Sequence, residues 1–385
     1  MVDKKRLFNT IKRLIALDSQ NPPGNEEKVA DFVNTYFKKL GLKTETLHFK
    51  KKRDNVLAVL KGGAGRNSLL LTPHLDTVPA GKNWRSDPFT VKVAGDRLYG
   101  LGATDCKGNL ASCMEAVNSI VEDGIRLDYD LIIAATADEE AGSSLGLIPL
   151  LERGLIKPTA ALVLDADDFE IVVTQKGLLH LKVCIRGRKA HGAYPWLGVN
   201  AIDIAAKVIL DLKKHLHCRL KNKYLRNPTV NIGTINGGDK VNVVSDWCEF
   251  SLDYRFLPGM SEKEFLAALR KSLNKYTKNF KIEIQSLQAP YNIDPAHHLV
   301  RGLAGAIKEA GVKPRITGSE GATVITFFQS KGIPAVATGF GREGCAHIAD
   351  EYAHLSSLYN GALVLESFLR KYEFDSANKE KIWKC

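Results

Sequence analysis

The segment Thr72-Pro73-His74-Leu75-Asp76-Thr77-Val78-Pro79 carries an imidazole and a carboxylate two residues apart, directly after the apolar run Ser68 to Leu71. That run reads as a buried strand, so both groups sit where a strand opens into a loop, the place where active-site groups of α/β proteins gather. In an extended His-x-Asp the two side chains point the same way, so His74 can bind a metal while Asp76 orients the ring through its other nitrogen. Alone, such a pair is more often a hydrogen-bonded surface couple. Similar groups, however, recur at other strand ends. Asp105 lies in the turn Gly100-Leu101-Gly102-Ala103-Thr104-Asp105-Cys106-Lys107-Gly108-Asn109, ahead of a helical pattern from Leu110 to Val121. Glu139 and Glu140 close the strand Leu131 to Ala137, and Asp165 ends the strand Ala160 to Leu164. His347 follows the strand Ala335 to Thr338 and Gly339-Phe340-Gly341. Two histidines with several carboxylates and no thiolates suit zinc, cobalt or manganese in a paired site with one bridging carboxylate. Any one of these carboxylates, taken singly, would be a helix cap or an ion-pair partner.

The elements that must position these groups follow from periodicity. Amphipathic helices are expected from about Lys5 to Leu17 and from Asn25 to Leu40, after which strands alternate with helices through Leu164, the pattern of an α/β sheet with helices on both faces. Lys50-Lys51-Lys52-Arg53 falls between the strands Thr44 to Phe49 and Asn55 to Leu60 and reads as a solvated hairpin end. Gly62-Gly63-Ala64-Gly65 precedes a strand rather than a helix, so it is a turn and not a phosphate loop. Past Gln175-Lys176-Gly177 the grammar changes to strand Leu178 to Arg186, helix Ala201 to His215, strands Thr229 to Ile235 and Trp247 to Tyr254, helix Ser261 to Lys275 and strand Lys281 to Leu287. That order describes a small α+β unit with antiparallel pairing. After Ala289-Pro290 the α/β pattern resumes, with helices from Leu299 to Ala310 and from Leu358 to Tyr372. The expected fold is therefore α/β, with a mixed sheet flanked by helices in a metal-binding catalytic domain at 1–176 and 289–385 and an inserted ferredoxin-like α+β domain at 177–288. Only the tail Asp375 to Cys385 looks weakly tied down.

Composition sets the frame. At 385 residues the chain is too long for one ordinary core, and its 25% charged and 44% hydrophobic residues are usual for a globular protein. No apolar run reaches the length of a membrane span, and the charged start Met1-Val2-Asp3-Lys4-Lys5-Arg6 lacks an apolar signal core, so a cytoplasmic location is expected. The cysteines (Cys106, Cys113, Cys184, Cys218, Cys248, Cys345, Cys385) are scattered and odd in number, which fits reduced thiols rather than a disulfide framework or a thiolate zinc site. A formal charge of +11 invites a nucleic-acid reading, yet no interleaved aromatics or nucleic-acid motif accompany it; a basic surface can equally draw in anionic substrates.

In these motifs and their order, from the first helix to the last strand, the chain resembles the co-catalytic zinc peptidase and deacylase family that includes acetylornithine deacetylase, succinyl-diaminopimelate desuccinylase, aminoacylase, glutamate carboxypeptidase and several di- and tripeptidases. The resemblance implies that His74 and Asp165 hold one divalent ion, Glu140 and His347 a second, and Asp105 bridges both; zinc is the first choice, with cobalt or manganese as alternatives. It further implies that Asp76 orients His74, that Glu139 is the general base, and that the peptide bond between Asp105 and Cys106 is cis. Chemistry agrees, since paired cations acidify a trapped water and an unligated carboxylate beside them can accept its proton. Two adjacent glutamates can divide those roles because consecutive side chains diverge.

The inserted domain serves in such proteins as a lid and often as a dimerisation surface, which implies a homodimer. His191 in Gly187-Arg188-Lys189-Ala190-His191-Gly192 resembles the lid histidine that stabilises the tetrahedral oxyanion, commonly from the partner subunit. Asn242 resembles a donor to a substrate carbonyl or carboxylate, and Arg255 the carboxylate-binding arginine, whose planar fork suits that task. Two departures bear on the substrate. Thr317-Gly318-Ser319-Glu320-Gly321-Ala322-Thr323-Val324 stands where a Gly-Thr-Asp-like segment is frequent, and Leu164-Asp165-Ala166-Asp167 replaces the Glu-Pro common in deacylases, which pulls toward aminopeptidases and dipeptidases. The expected activity is hydrolysis of the amide bond of a small N-acyl amino acid or short peptide with a free carboxylate, with neither nucleic acid nor membrane as partner. A di- or tripeptidase is the alternative, and a catalytically silent binding homologue the alternative of another class.

Overall fold

In the computed structural model, which describes residues 1–63, 67–214 and 220–374, the apolar stripe of the first segment folds as expected. Helix α1 (Lys4–Ile15) turns Leu7, Ile11, Leu14 and Ile15 inward, and the Asp3 carboxylate caps it by accepting from the Arg6 amide. Helix α2 (Glu27–Lys39) follows and packs on the hairpin of β1 (Lys43–Lys50) and β2 (Arg53–Leu60). Next come β3 (Ser68–Thr72), the short pair β4 (Lys92–Ala94) and β5 (Arg97–Tyr99), helix α3 (Lys107–Glu122), β6 (Asp130–Ala135), α4 (Leu147–Glu152), β7 (Ala160–Val163) and β8 (Glu170–Gln175). Small residues such as Gly108, Ala111, Ser112, Cys113 and Ala116 let α3 run almost wholly buried.

The second pattern begins with β9 (Gly177–Arg186), α5 (Ala201–Lys214), β10 (Thr229–Gly237), β11 (Trp247–Phe256), α6 (Glu262–Tyr276), β12 (Phe280–Gln288) and β13 (Tyr291–Asn292). The chain then gives α7 (His298–Glu309), β14 (Arg315–Ser319), α8 (Ile325–Gln329), β15 (Ala335–Ala337), β16 (Tyr352–His354) and α9 (Leu355–Lys371). Strands β4, β5, β8, β13, β14 and β16 went unforeseen because each is short or lacks an alternating apolar pattern.

Two units result. The first comprises Met1–Val173, Ile293–Thr317 and the described chain from Phe327 on; the second comprises Thr174–Asn292 with Gly318–Thr326. That last segment lies beyond the expected return at Ala289, and it belongs to the second unit through side-chain bonds that no periodicity reveals. Gln175 Oε1 accepts from the Thr323 amide and hydroxyl, and the buried Lys176 ammonium lies 2.6 Å from Glu320.

Strand order in the first unit is β1-β2-β6-β3-β7-β15-β8, a mixed sheet in which β6, β3, β7 and β15 run parallel. Leu69, Leu70 and Leu71 of the central β3 are fully buried, as a strand covered on both faces requires. The second unit is a four-stranded antiparallel sheet in the order β10-β11-β9-β12. Along β11, Cys248, Phe250, Leu252, Tyr254 and Phe256 face a core shared with Leu181 and Val183 of β9, Val208 of α5 and Leu269 of α6. Trp247, Glu249, Ser251, Asp253 and Arg255 take the opposite face. Its strand and helix order with this sheet is ferredoxin-like.

Among the described residues no helix is long and apolar enough to cross a membrane, and Cys106, Cys113, Cys184, Cys248 and Cys345 are free thiols. Cys218, Cys385, His215, the tail from Asp375 and the Ala64-Gly65 half of the glycine turn lie outside the described residues.

Candidate metal centre

Three neighbouring parallel strands end at one place. His74 follows β3, Glu139 and Glu140 follow β6 in a single 3-10 turn (Glu139–Ala141), and Asp165 follows β7. Because β3 lies between β6 and β7, their C-terminal ends converge, as at the carboxyl edge of any parallel sheet. Asp105 enters from the turn ahead of α3, across a cis bond to Cys106, and His347 from the segment after β15 with a left-handed φ of 61°. His74 Nε2 lies 2.9 Å from Asp105 Oδ1 and 3.9 Å from Asp165 Oδ1. His347 Nε2 lies 3.0 Å from Asp105 Oδ2 and 3.1 Å from Glu140 Oε2. Asp105 thus turns one oxygen to each imidazole. The donors fall into two overlapping sets, His74 with Asp105 and Asp165, and Asp105 with Glu140 and His347, each spanning no more than 4.8 Å. Glu139 belongs to neither.

Electrostatics around these sets are one-sided. Burial, with the Asp105 charge beside it, pushes Asp165 up to about 7, and burial with the same neighbours pushes Asp167 up to about 7. Burial and the charges of Asp165, Asp105 and Glu140 raise Glu139 well above the carboxylate range. Burial works against Asp105 too, but its bonds to His347 and His74 win and hold it ionised. Bonds to Asp105 and Glu140 push His347 up to about 10. Burial pulls the His74 imidazole down, yet the Cys106, Asp105 and Asp76 groups around it raise it on balance.

The supports extend the sequence expectation in one place and correct it in another. His74 Nδ1 bonds the backbone carbonyl of Asp76 at 2.9 Å, while the nearer Asp76 carboxylate oxygen stands 3.5 Å away. That carboxylate also accepts from the amides of Glu139 and Glu140 at 3.1 Å each and from the Asn21 side chain at 2.9 Å, so it anchors the glutamate turn as well as facing the imidazole. The correction concerns the basic run. Lys50, Lys51 and Lys52 are exposed, but Arg53 is buried, binding Glu26 through two nitrogens at 2.7 and 2.8 Å and Asp138 at 2.7 Å. The turn is solvated; its last residue is a buried cation. Asp138, with φ 66°, also accepts from Ser144 and the Leu145 amide. Asn21, Glu26, Arg53 and Asp138 therefore brace the turn that presents Glu139. Sequence reasoning misread Arg53 as solvated and gave no role to the other three, and only the adjacency of Asp138 to Glu139-Glu140 hinted at any of them.

Residues of the second unit are less constrained. His191 is exposed, its Nδ1 accepting from the Ala193 amide at 3.1 Å, and it forms an isolated β-bridge with Val243. The exposed Asn242 precedes Val243 of that bridge, its carbonyl accepting from the Gly192 amide at 2.8 Å. Arg255 Nε and a terminal nitrogen bind both oxygens of Asp253, at 2.8 and 3.1 Å, two residues along the same strand face.

The sequence matches the profile of Peptidase family M20/M25/M40 over residues 70–371. The chain belongs to this family. Its fold is similar to that of three solved structures: aminopeptidase PepT from Bacillus cereus (22% identity, TM-score 0.81, covering 96% of this chain and 98% of the other), an M20 family metallo-carboxypeptidase from Sulfolobus solfataricus (21%, 0.79, 95% and 99%) and a tripeptidase from Staphylococcus aureus (22%, 0.79, 96% and 98%). As an M20 family member the chain is a metal-dependent hydrolase of peptide or amide bonds.

The donor sets fit two divalent ions. Carboxylates outnumber imidazoles in the cluster, and a buried oxygen of Glu140 has no hydrogen-bond partner. The nearest buried ammonium, Lys107, is committed elsewhere, donating to the Leu17 carbonyl at 2.6 Å. Divalent cations would supply the balancing charge, and the same carboxylates that would ligate them raise the proton affinity of His74 and His347.

Proposed function

We propose that this M20 family protein cleaves the amide bond of a small substrate with a free carboxylate, a short peptide first and an N-acyl amino acid second, using two bound zinc ions. The observation that carries this reading is the sorting of adjacent glutamates: Glu140 falls in a donor set with Asp105 and His347, and Glu139 in none. His74 and Asp165 would hold one ion, Glu140 and His347 the other, and Asp105 both. Bound there, the pair would acidify a water and polarise the scissile carbonyl. Glu139 accepts the proton of the attacking water at its carboxylate and returns it to the departing amine nitrogen as the C–N bond breaks. His191 donates to the carbonyl oxygen as it becomes an oxyanion, and Asn242 and Arg255 hold the rest of the substrate. We assign residues 177–288 as a lid and dimerisation domain, and the protein as a cytoplasmic homodimer. An all-nitrogen and oxygen donor set without thiolates supports zinc, and equally admits cobalt or manganese.

One observation favours a second reading, an aminopeptidase that recognises the free α-amine: two nitrogens of the Arg255 fork are already bonded to Asp253. The likeness to both an aminopeptidase and a carboxypeptidase leaves the end of the peptide open. Assay of the metal-loaded protein on matched dipeptides, their C-terminal amides and their N-acetyl forms separates the cases. Loss of turnover on amidation supports carboxylate recognition; loss on acetylation alone overturns it in favour of the aminopeptidase. No hydrolysis of any member, with two ions bound, would point to the silent homologue.

A further inference from the structure

Four residues after His347 stands a carboxylate to which the proposed chemistry assigns nothing. Glu351 is 1% exposed and makes no ion pair among the described residues. Both of its oxygens are used. Oε1 accepts from the Thr104 amide at 2.8 Å and the Asp105 amide at 3.0 Å, and Oε2 accepts from the Gly102 amide at 2.9 Å. Its own carbonyl accepts from the Gly100 amide at 3.1 Å. Beside it, the Thr104 hydroxyl donates to the Tyr352 carbonyl at 2.8 Å and accepts from the Arg342 amide at 3.1 Å. The turn from Gly100 to Asp105 is thus stitched to the segment that carries His347, and four of these six stitches end on Glu351, three of them on its side chain.

Burying an unpaired carboxylate is costly unless donors replace its water, and charge-assisted bonds from backbone amides are the strong kind. Three amides converging on two oxygens call for an acceptor-only group. A glutamine would set its own N–H donors against one of those amides, and an aspartate would fall a methylene short. Such a group does more than hold the turn closed. Asp105 must turn Oδ1 toward His74 and Oδ2 toward His347, and His74 is fixed separately by β3 and the Asp76 carbonyl. The remaining freedom lies between Asp105 and the His347 segment, which Glu351 removes.

We infer that Glu351 is a positioning residue that locks the bridging carboxylate of Asp105 to the His347 segment and thereby sets the affinity of the ion shared by Asp105, Glu140 and His347. The inference rests on the two-ion reading above. It is tested on the full-length protein, stripped with chelator and titrated with Co2+ by calorimetry, with absorption and electron paramagnetic resonance spectra recorded at one and two equivalents. Wild type should take up two ions with a spin-coupled spectrum at the second equivalent; uptake of a single ion by wild type would overturn the two-ion reading itself. Given a two-ion wild type, Glu351→Gln should raise the dissociation constant of the second ion by about 10- to 100-fold, the range seen for groups that orient ligands, while the first changes less. The coupled signal should weaken and kcat fall with KM little altered. Glu351→Asp, which keeps the charge with shorter reach, should lie between and provides the test if the glutamine variant does not fold. A folded variant of either kind with wild-type affinity for the second ion and an unchanged coupled spectrum, whatever its melting temperature, would overturn the inference, because a purely structural role predicts that pattern.

Discussion

The metal cradle and the candidate residues of the second unit are built on opposite plans. In the cradle the candidate donors His74, Asp105, Glu140 and Asp165 leave buried strand ends or turns, with only His347 exposed, and carboxylates further out grip two of those turns: Asp76 holds the glutamate turn, Glu351 the Asp105 turn, and Arg53 joins Glu26 to Asp138. In the second unit, His191 and Asn242 are exposed, and Arg255 is tied to a neighbour on its own strand face. A cation demands donors fixed to fractions of an ångström before it arrives, whereas groups that meet a substrate can be ordered by that substrate. Changes in the cradle should therefore register in metal content and stability together, and changes in the second unit in kinetics alone.

The sharpest contrast lies within the cradle. Asp105→Ala should lose both ions and nearly all turnover, while Glu139→Ala should keep the ions and still lose about 10²- to 10⁴-fold in kcat, the span of a general base. Metal analysis beside single-turnover kinetics checks both. Normal turnover in Glu139→Ala would remove the base assignment and leave the division between the two glutamates without meaning.

Next in size is the buried brace. Arg53→Met leaves Glu26 and Asp138 buried without their cation, a loss of about 3 to 5 kcal/mol by analogy with broken buried pairs. Burial already pushes Glu26 upward against the pull of Arg53, so the carboxyl should take up a proton once the arginine is gone. Urea unfolding of the metal-loaded protein measures the cost. A change below about 1 kcal/mol would place Arg53 with surface ion pairs and blunt the comparison.

These two experiments also divide what the sequence disclosed from what it hid. The candidate donors were legible because each is a His, Asp or Glu directly after an apolar strand or in a glycine turn, where periodicity marks the strand and chemistry marks the group. Their supports were not. Arg53 sits beside three exposed lysines and looks like the end of a charged turn, and only the fold brings Glu26 and Asp138 to it. Glu351 resembles any loop glutamate until the Gly102 to Asp105 amides close on it. Asp76 was read as partner of its near neighbour His74, which it faces at 3.5 Å, but nothing local announced that its carboxylate also works at long range, on Glu139 and Glu140. The ferredoxin-like unit was legible from strong alternation in β9 and β11, whereas the membership of Gly318–Thr326 in it depends on Gln175 and Lys176.

For the second unit the expected effect is kinetic. Arg255→Ala should lower kcat/KM by about 10- to 100-fold if its fork holds a substrate carboxylate, with metal content and melting temperature unchanged. Asp253→Ala frees the same fork and distinguishes the two readings of the substrate. Under carboxylate recognition it should leave kcat/KM equal or better; if Asp253 itself meets a substrate amine, kcat/KM should fall for free-amine peptides and not for their acetylated forms.

The smallest effect returns to the cradle and separates it from the second unit by pH. Lys107 is fully buried behind the Asp105 turn, and burial pulls its ammonium down to about 8 against the opposing charges of Asp18, Glu351 and Asp76. In the unfolded chain the same group holds its proton to about 10.4. Between those values the unfolded state binds more protons than the native one, so unfolding free energy should rise with pH across the window from about 8 to about 10.4, by at most about 1.4 kcal/mol per unit. Lys107→Met should remove that rise, and Arg255→Ala, in the second unit, should leave it intact. Denaturant unfolding at three pH values within the window, for wild type and both variants, makes the comparison. Parallel profiles for wild type and Lys107→Met would show that the lysine keeps an ordinary proton affinity, and with it that the ground behind the Asp105 turn is wetter than its burial implies.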